Sequence, residues 1–451
     1  MDLKRIKTVY FIGVGGIGMS AIARYFNGRG AKVYGYDKTV TELTRTLAAE
    51  GIDIHYEADV SRIPENVDLV VYTPAVPDSH AELQYFRQQG TPVRKRAEVL
   101  GIISRGMKAI AIAGTHGKTT TTTLTAYLLR QCGIDCTAFL GGIALDFETN
   151  FVEGQSEWVV VEADEYDRSF LHLSPDIAVV LSMDADHLDI YGDEESLHET
   201  GFRAFARKLE PGGRLFLQHR WEKEMGAVPG LSLFGVEGGR YRADNIRVEE
   251  GYFTFDYQSP DHRMEGLQLS LPGRHNVENA TAAITVALQL GGQEADIRRA
   301  LRSFRGIRRR FEFLYRSGER AYIDDYAHHP EELRAAIGAA KALFPQEQVT
   351  GIFQPHLFSR TRDFADGFAR ALELLDEIWL MDIYPAREAP IPGVDSAWLF
   401  DKINHPRKYL VQADEVLSLS RERQPNVLLT LGAGDIDLLR NPLKEFFGEQ
   451  V

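Results

Sequence analysis

Lys118 and Thr119 follow Gly114 and Gly117 in the run GTHGKTTTTT, an order of residue types that can hold a phosphate. The glycines allow a tight turn, and a helix opening at the lysine would present backbone N–H groups and its positive dipole end to an anion. The lysine amine can reach terminal phosphate oxygens, and the threonine hydroxyl can ligate the accompanying magnesium. The loop is a shortened variant of G-x-x-x-x-G-K-[ST], since the first glycine of that pattern would fall at Ile112. Gly114, Thr115, His116, Gly117, Lys118, Thr119 and Thr120 are the expected nucleotide contacts. The following threonines are poor helix formers, so propensity does not explain the run. A lysine at such a place is expected to have little packing role, so that Lys118→Ala should abolish activity without unfolding the chain.

Two acidic stretches answer the loop. An apolar run, Trp158 to Val161, leads into Glu162-Ala-Asp-Glu-Tyr-Asp, and another, Ile177 to Leu181, leads into Ser182-Met-Asp-Ala-Asp-His-Leu-Asp. Carboxylates gathered where a loop places phosphate call for a divalent cation. Glu162, first off its strand, is the best-placed ligand; Asp164, Glu165 and Asp167 either support it or face water. Thr119, Glu162 and His187, converging from three strand ends, are the expected metal ligands.

These groups need a scaffold that brings strand ends together. The run Ala109 to Ala113 is short, apolar and unbroken, as a strand buried on both faces should be. Ahead of it, in about residues 1–106, the strand Thr8 to Ile12 runs into Gly13, Gly15 and Gly18, which spell G-x-G-x-x-G at the head of a helix. A second strand, Lys32 to Tyr36, ends at Asp37. That pattern binds a diphosphate, and both NAD and a nucleotide-diphosphate sugar fit it. A strand Asp68 to Tyr72 closes on Thr73, again at a carboxyl end. A helix and a stretch Pro92 to Arg96 follow, with Lys95 and Arg96 read as solvated.

The central region, about residues 107–307, includes an alternating stretch, Arg240 to Leu271. Turn signals at Glu250-Gly and Ser259-Pro make it a small antiparallel meander. Pro272-Gly-Arg-His-Asn-Val-Glu-Asn then opens a helix to about Leu290, with His275, Asn276 and Asn279 at its start and capping the simple account of Asn276. In the last region, about residues 308–451, Arg308, Arg309 and Arg310 precede a strand. Four further strands, Ala321–Asp324, Val349–Phe353, Glu377–Met381 and Val427–Leu431, end in polar, aromatic and His/Arg residues. Chemistry confined to strand exits implies a parallel sheet with one functional edge.

The chain's 451 residues suit about three domains. A net charge of −14 argues against broad binding to nucleic acid or anionic membranes but leaves room for a local basic pocket. No stretch approaches the ~18 apolar residues of a membrane span. Cys132 and Cys136 are the only cysteines and form neither a disulfide framework nor a metal spacing, which suits a reducing cytoplasm.

Taken together and in order, GTHGKTT, EADEYD, DADHLD, PGRHNVENA, RRRFE, DDYAHHPEE, FQPHLFSRTR, DIYPAREAPIPG and GAGDI resemble the Mur ligases over nearly the whole chain. The resemblance implies an α/β protein of three domains. They are an N-terminal Rossmann-like UDP-sugar domain, a central P-loop ATPase domain carrying the meander, and a C-terminal Rossmann-like domain that binds the amino acid. The implied reaction uses ATP and Mg2+ to join L-alanine to the lactyl carboxylate of UDP-N-acetylmuramate through an acyl phosphate, in cytoplasmic peptidoglycan synthesis. Gly15, Gly16, Ile17, Gly18, Asp37 and Thr73 would then face the UDP-sugar and not NAD. Lys118, His187 and Arg310 form the implied catalytic set, His187 as a metal ligand. Asn279, Arg310 and Asp325 match positions holding adenine, phosphate and ribose. Tyr326, His328, His356 and Arg360 match the amino-acid pocket, where the Arg360 fork suits a carboxylate. The implied partners are the two small substrates, without nucleic acid or membrane insertion, for a monomer or weak homodimer. The family usually has Asn where this chain has Ser182, to which no direct ligand contact is assigned. The alternatives are a recycling ligase that attaches a murein tripeptide and, more remotely, a nicotinamide-dependent dehydrogenase resting on Gly13 to Gly18 and Asp37 alone.

Overall fold

In the computed structural model, which describes residues 2–186, 188–386 and 388–449, short runs of Val, Ile, Ala and Phe become the strands of three sheets. The first sheet holds β1 (Thr8–Ile12), β2 (Lys32–Tyr36), β3 (Asp53–His55), β4 (Leu69–Tyr72) and β5 (Val93–Lys95), in the order β3-β2-β1-β4-β5. All its pairings are parallel. Val9 to Ile12 are fully buried because helices cover such a sheet on both faces. β3 gives no clear sequence signal, being three residues long with only His55 buried. Arg96 opens the helix Arg96–Ser104 and does not close β5.

The second sheet holds β6 (Lys108–Ala113), β7 (Thr137–Ala144), β8 (Thr149–Val152), β9 (Trp158–Ala163), β10 (Ile177–Val180), β11 (Arg214–Gln218), β12 (Leu231–Val236), β13 (Tyr241–Glu249), β14 (Tyr252–Gln258) and β15 (Arg263–Leu269). Its order is β15-β14-β13-β12-β11-β10-β6-β9-β7-β8. β6 lies between β9 and β10 and runs parallel to both. β9 continues through Ala163, so Glu162 is still in the strand, paired with Ile112 and not first off its end. The expected meander is β13 to β15. Glu250 and Gly251 turn its first corner with φ of 52° and 78°, the left-handed pair that a two-residue hairpin demands.

The third sheet holds β16 (Glu312–Ser317), β17 (Arg320–Asp325), β18 (Val349–Phe353), β19 (Glu377–Leu380), β20 (Lys408–Leu410) and β21 (Val427–Leu431), in the order β16-β17-β21-β18-β19-β20. Only the β16–β17 pair is antiparallel. Pro330 occupies the first turn of the helix Pro330–Leu343, where its missing N–H costs nothing.

By packing, the chain forms two compact units. One comprises residues 1–244, 256–267 and 278–304, and the other 245–255, 268–277 and 305–451. The first sheet and most of the second belong to the former, while parts of β13, β14 and β15 fall in the latter. One apolar core runs from Val9 and Phe26 through Phe139 and Phe151 to Val180, and Asn150 donates to Ser20 Oγ (2.9 Å) across it. No helix among the described residues is long and apolar enough to cross a membrane.

The second unit also buries a charge cluster. Asp324 is fully buried, accepts from Thr430 Oγ1 at 2.7 Å, and lies 3.3 Å from Arg309 Nε and 3.2 Å from Arg440 Nε. Glu312 takes the other arm of Arg440 at 2.6 Å. Removing Asp324 leaves Arg309 and Arg440, both mostly covered, without their shared counter-ion. Asp324→Ala should therefore cost about 3–5 kcal/mol of stability, read as a lowered urea midpoint; a shift of less than ~1 kcal/mol would show that the cluster carries no net load.

Candidate active site

β6 ends at Ala113, and the chain turns through Gly114 (φ 139°) and Gly117 (φ 80°) into the helix Lys118–Gln131. Gly117 has a second reason to lack a side chain: a Cβ there would lie 2.6 Å from Asn279 Oδ1. That proximity brings Asn279, read from sequence as a nucleotide contact, beside the loop.

The loop is pinned from β10. Ser182 Oγ accepts the His116 N–H at 2.9 Å and lies 2.9 Å from Thr115 Oγ1, while its carbonyl accepts the Thr115 N–H at 3.2 Å. The serine that stands where the family usually has Asn thus bonds the loop itself. Asp184 N–H donates to Thr115 Oγ1 at 3.2 Å and extends the clasp.

From β9 come the carboxylates. Glu162 faces Gly141, whose missing Cβ makes room for its carboxylate. Glu165 is fully buried, and both its oxygens accept from Lys118 Nζ, at 2.9 and 2.8 Å. The Lys118 amine also donates to Gly114 O at 2.8 Å. Burial works against its charge, but Glu165, Asp164 and Glu162 more than offset that and hold its pKa above the usual lysine value. Lys118 therefore does have a structural partner: its removal strands a buried carboxylate, contrary to the sequence expectation. Asp164 and Asp167, read as supporting or solvated, pair with Arg96 (3.6 Å) and Lys95 (2.8 Å), so that pair is engaged as well.

Lys118, Thr119 and Glu162 are thus carried by β6, its following helix and adjacent β9. His187, the third expected metal ligand, lies outside the described residues. Among the described residues no group of three His, Cys, Asp or Glu forms a metal cluster. What the described residues provide is one hydroxyl at the helix start and one carboxylate beside the loop, a donor pair of the hard oxygen type that magnesium takes.

In the first sheet the G-x-G-x-x-G loop follows β1. Asp37, just past β2, accepts the Gly15 N–H at 2.7 Å, and a Cβ on Gly15 would lie 2.8 Å from that carboxylate. Thr73, at the end of β4, lies against Gly13, and the Arg96 guanidinium lies against Gly18. Gly15 to Gly18, Asp37 and Thr73 thus share one edge, joined by Arg96, which sequence reading left solvated.

The second unit gathers the remaining candidates. Tyr326 and His328 rings are 5.2 Å apart, His328 and His356 6.0 Å, and His356 stacks on Tyr384 at 5.8 Å. Arg360, in the helix Phe358–Asp363, is close enough to depress the His328 pKa, although burial is the larger cause. Leu357, just before that helix, holds φ at 71°, a strained value for a branched residue and one that marks a built site. Arg309 and Arg310 both lie over the Tyr326 ring (5.2 and 5.3 Å), and they differ in their carboxylates, Asp324 for Arg309 (3.3 Å) and Glu332 for Arg310 (3.9 Å). Glu332, which also accepts the His328 N–H at 3.0 Å, and Tyr384 carry no sequence signal that singles them out.

Family models cover the chain in three blocks. The "Mur ligase family, catalytic domain" matches residues 8–108, the "Mur ligase middle domain" 112–287, and the "Mur ligase, glutamate ligase domain" 309–434. The chain belongs to the Mur ligase family. It is 48% identical to the UDP-N-acetylmuramate--L-alanine ligase of Flavobacterium johnsoniae over the full length of both chains. It is 47% identical to the enzyme of the same name from Parabacteroides distasonis, covering 100% of this chain and 99% of that one. Among solved structures, the UDP-N-acetylmuramate-alanine ligase MurC of Thermotoga maritima superposes with a TM-score of 0.84 at 30% identity, over 98% of this chain and 100% of that one. The murein peptide ligase of Psychrobacter arcticus shares the fold, with a TM-score of 0.70 at 21% identity over 99% of each chain. This Mur ligase is an ATP-dependent ligase with three α/β domains, as its motifs imply.

Asp325 supplies a pH handle. Burial pushes its carboxyl up to about 7, against the pull of Arg310 and of the Phe311 and Ala327 N–H groups, each 2.7 Å away. An acid whose folded pKa is raised adds stability that is complete below its unfolded value of 3.8 and is lost as pH rises through about 7. Thermal unfolding of the nucleotide-free protein should thus show stability falling over that window and Asp325→Asn flattening the fall; parallel wild-type and variant curves would contradict it.

Proposed function

We propose that this Mur ligase joins L-alanine to the lactyl carboxylate of UDP-N-acetylmuramate, with ATP converted to ADP and phosphate. The observation that carries the reading is the placement of Lys118 and Thr119 at a helix start beside β9, whose Glu162 is in register with the loop-bearing strand. Relatives named for this alanine transfer are 46–48% identical over 96% or more of the chain. Two solved structures named as murein peptide ligases are 21% and 26% identical, well below the 46–48% of these relatives, and that difference supports free alanine over a tripeptide. The three sheets then divide the work as residues 1–106, 107–307 and 308–451, for UDP-sugar, ATP and amino acid.

Transfer of a phosphoryl group between two anions is limited by charge, so the residues that matter are those that neutralise and align. Lys118 and the loop N–H groups hold the β- and γ-phosphates, with Asn279 and Asp325 on adenosine and Arg310 on the transferring phosphoryl. Thr119, Glu162 and His187 would hold magnesium, which when bound neutralises phosphate charge and polarises its oxygens. Gly15 to Gly18 cradle the UDP diphosphate, Asp37 and Thr73 lining the same edge.

The lactyl carboxylate attacks the γ-phosphorus and ADP leaves, giving an acyl phosphate. The alanine amine then attacks that carbonyl, and the tetrahedral intermediate expels phosphate as the amide forms. Arg360 forks onto the alanine carboxylate, and Tyr326, His328 and His356 wall its pocket. Water must be kept from the acyl phosphate, and alignment of amine with carbonyl supplies much of the rate.

Purified protein given ATP, magnesium and UDP-N-acetylmuramate should release ADP only when L-alanine is added. Turnover that ignores either cosubstrate, or that prefers the tripeptide, rejects the assignment. Lys118→Ala should lower kcat about a hundredfold or more and, with Glu165 stranded, lower the melting temperature as well. Near-normal turnover in that variant would refute the phosphate-loop reading. Arg360→Ala should raise the KM for L-alanine about ten- to a hundredfold with the KM for ATP unmoved; equal changes in both would place Arg360 elsewhere.

A further inference from the structure

Lys118 has three N–H donors, and all three directions are taken: Gly114 O at 2.8 Å, Glu165 Oε1 at 2.9 Å and Glu165 Oε2 at 2.8 Å. An ammonium so engaged has no donor to offer a phosphate until one is released. The two partners differ in mobility. Glu165 is fully buried, its carbonyl accepts from Tyr191 Oη at 2.7 Å, and the turn after it is fixed by left-handed Asp167 and Arg168 (φ 52° and 56°). Lys95 and Arg96 hold the flanking Asp167 and Asp164. Lys118 stands on four methylenes. When the contact opens, the lysine moves and the glutamate stays.

We infer that Glu165 is a positioning residue that holds the Lys118 amine in the nucleotide-free enzyme and sets how tightly a nucleoside polyphosphate binds, by competing with its phosphates for the same donors. The inference rests on the reading of Lys118 as the phosphate lysine. The competition weakens ADP as well as ATP, which helps the product to leave.

The test is equilibrium binding of ADP, with and without magnesium, alongside steady-state kinetics. In Glu165→Gln only one oxygen remains to accept from the ammonium, so a donor is freed. The ADP dissociation constant should fall roughly five- to tenfold, with or without magnesium. The KM for ATP should fall with it while the KM for UDP-N-acetylmuramate stays put. Asp167→Asn removes one negative charge from the same turn without touching Lys118 and should shift ADP binding less than about twofold. In a Lys118→Ala background, Glu165→Gln should have no further effect. Glu165→Asp keeps the charge but withdraws it by one methylene; it should tighten ADP in the same direction, and it decides the matter should Glu165→Gln fail to fold. Weaker ADP binding in the Glu165 variants, tightening that persists without Lys118, tightening lost in EDTA, or an equal effect of Asp167→Asn would each overturn the inference. Wild-type ADP affinity in Lys118→Ala would instead overturn the phosphate-lysine reading beneath it.

Discussion

The arrangement depends on a charge problem created by strand order. With β6 lying between β9 and β10, all parallel, their carboxyl ends emerge side by side, and the loop meant for anions sits against Glu162, Asp164, Glu165 and Asp184. Repulsion among such groups is severe at partly buried positions, where screening is weak. The fold resolves it by assigning counter-ions: Lys118 to Glu165, Arg96 to Asp164 and Lys95 to Asp167. A divalent cation entering with the phosphates cancels part of their charge, so the pair can replace part of this pairing at a smaller electrostatic cost than phosphate alone.

Two of those counter-ions come from outside the second sheet. Lys95 ends β5 and Arg96 begins the next helix, so both leave the functional edge of the first sheet. Arg96 lies against Gly18 on one side and Asp164 on the other. The diphosphate-type loop and the acidic turn therefore share one guanidinium, and the common core beneath them lets neither drift from the other. In the second unit, neighbouring carboxylates part company by the simple alternation of a strand. Asp324 points to the half-buried Arg309 and Arg440, whereas Asp325 accepts the N–H groups of Phe311 and Ala327 near Arg310. One of the pair is held by arginines and the other by backbone N–H groups.

The features legible in the sequence were those written in local order. Mostly apolar runs such as Val349–Phe353 and Val427–Leu431 matched their strands residue for residue, because burial on both faces leaves little room for polar residues. Turn chemistry gave the meander and Pro330 gave a helix start. Short edge elements such as β3, β5 and β20 carry too few apolar residues to announce themselves. Side-chain partners were less visible still. In RRRFE nothing local separates Arg309 from Arg310, and in EADEYD nothing marks Glu165 as the residue that turns under the loop. Those choices depend on what arrives from another part of the chain, Asp324 in one case and Lys118 in the other.

Ser182 shows how a short side chain at a strand exit can brace the loop beside it. A serine hydroxyl is too short to reach far into a pocket, but at the end of β10 it meets the His116 N–H and the Thr115 hydroxyl of the neighbouring strand's loop. Two loop amides, those of Thr115 and His116, are thus satisfied by Ser182, and the loop is anchored on its β10 side. A longer amide at that position could project past the loop. The serine binds it instead, so in this chain the strand that borders the loop contributes rigidity to it.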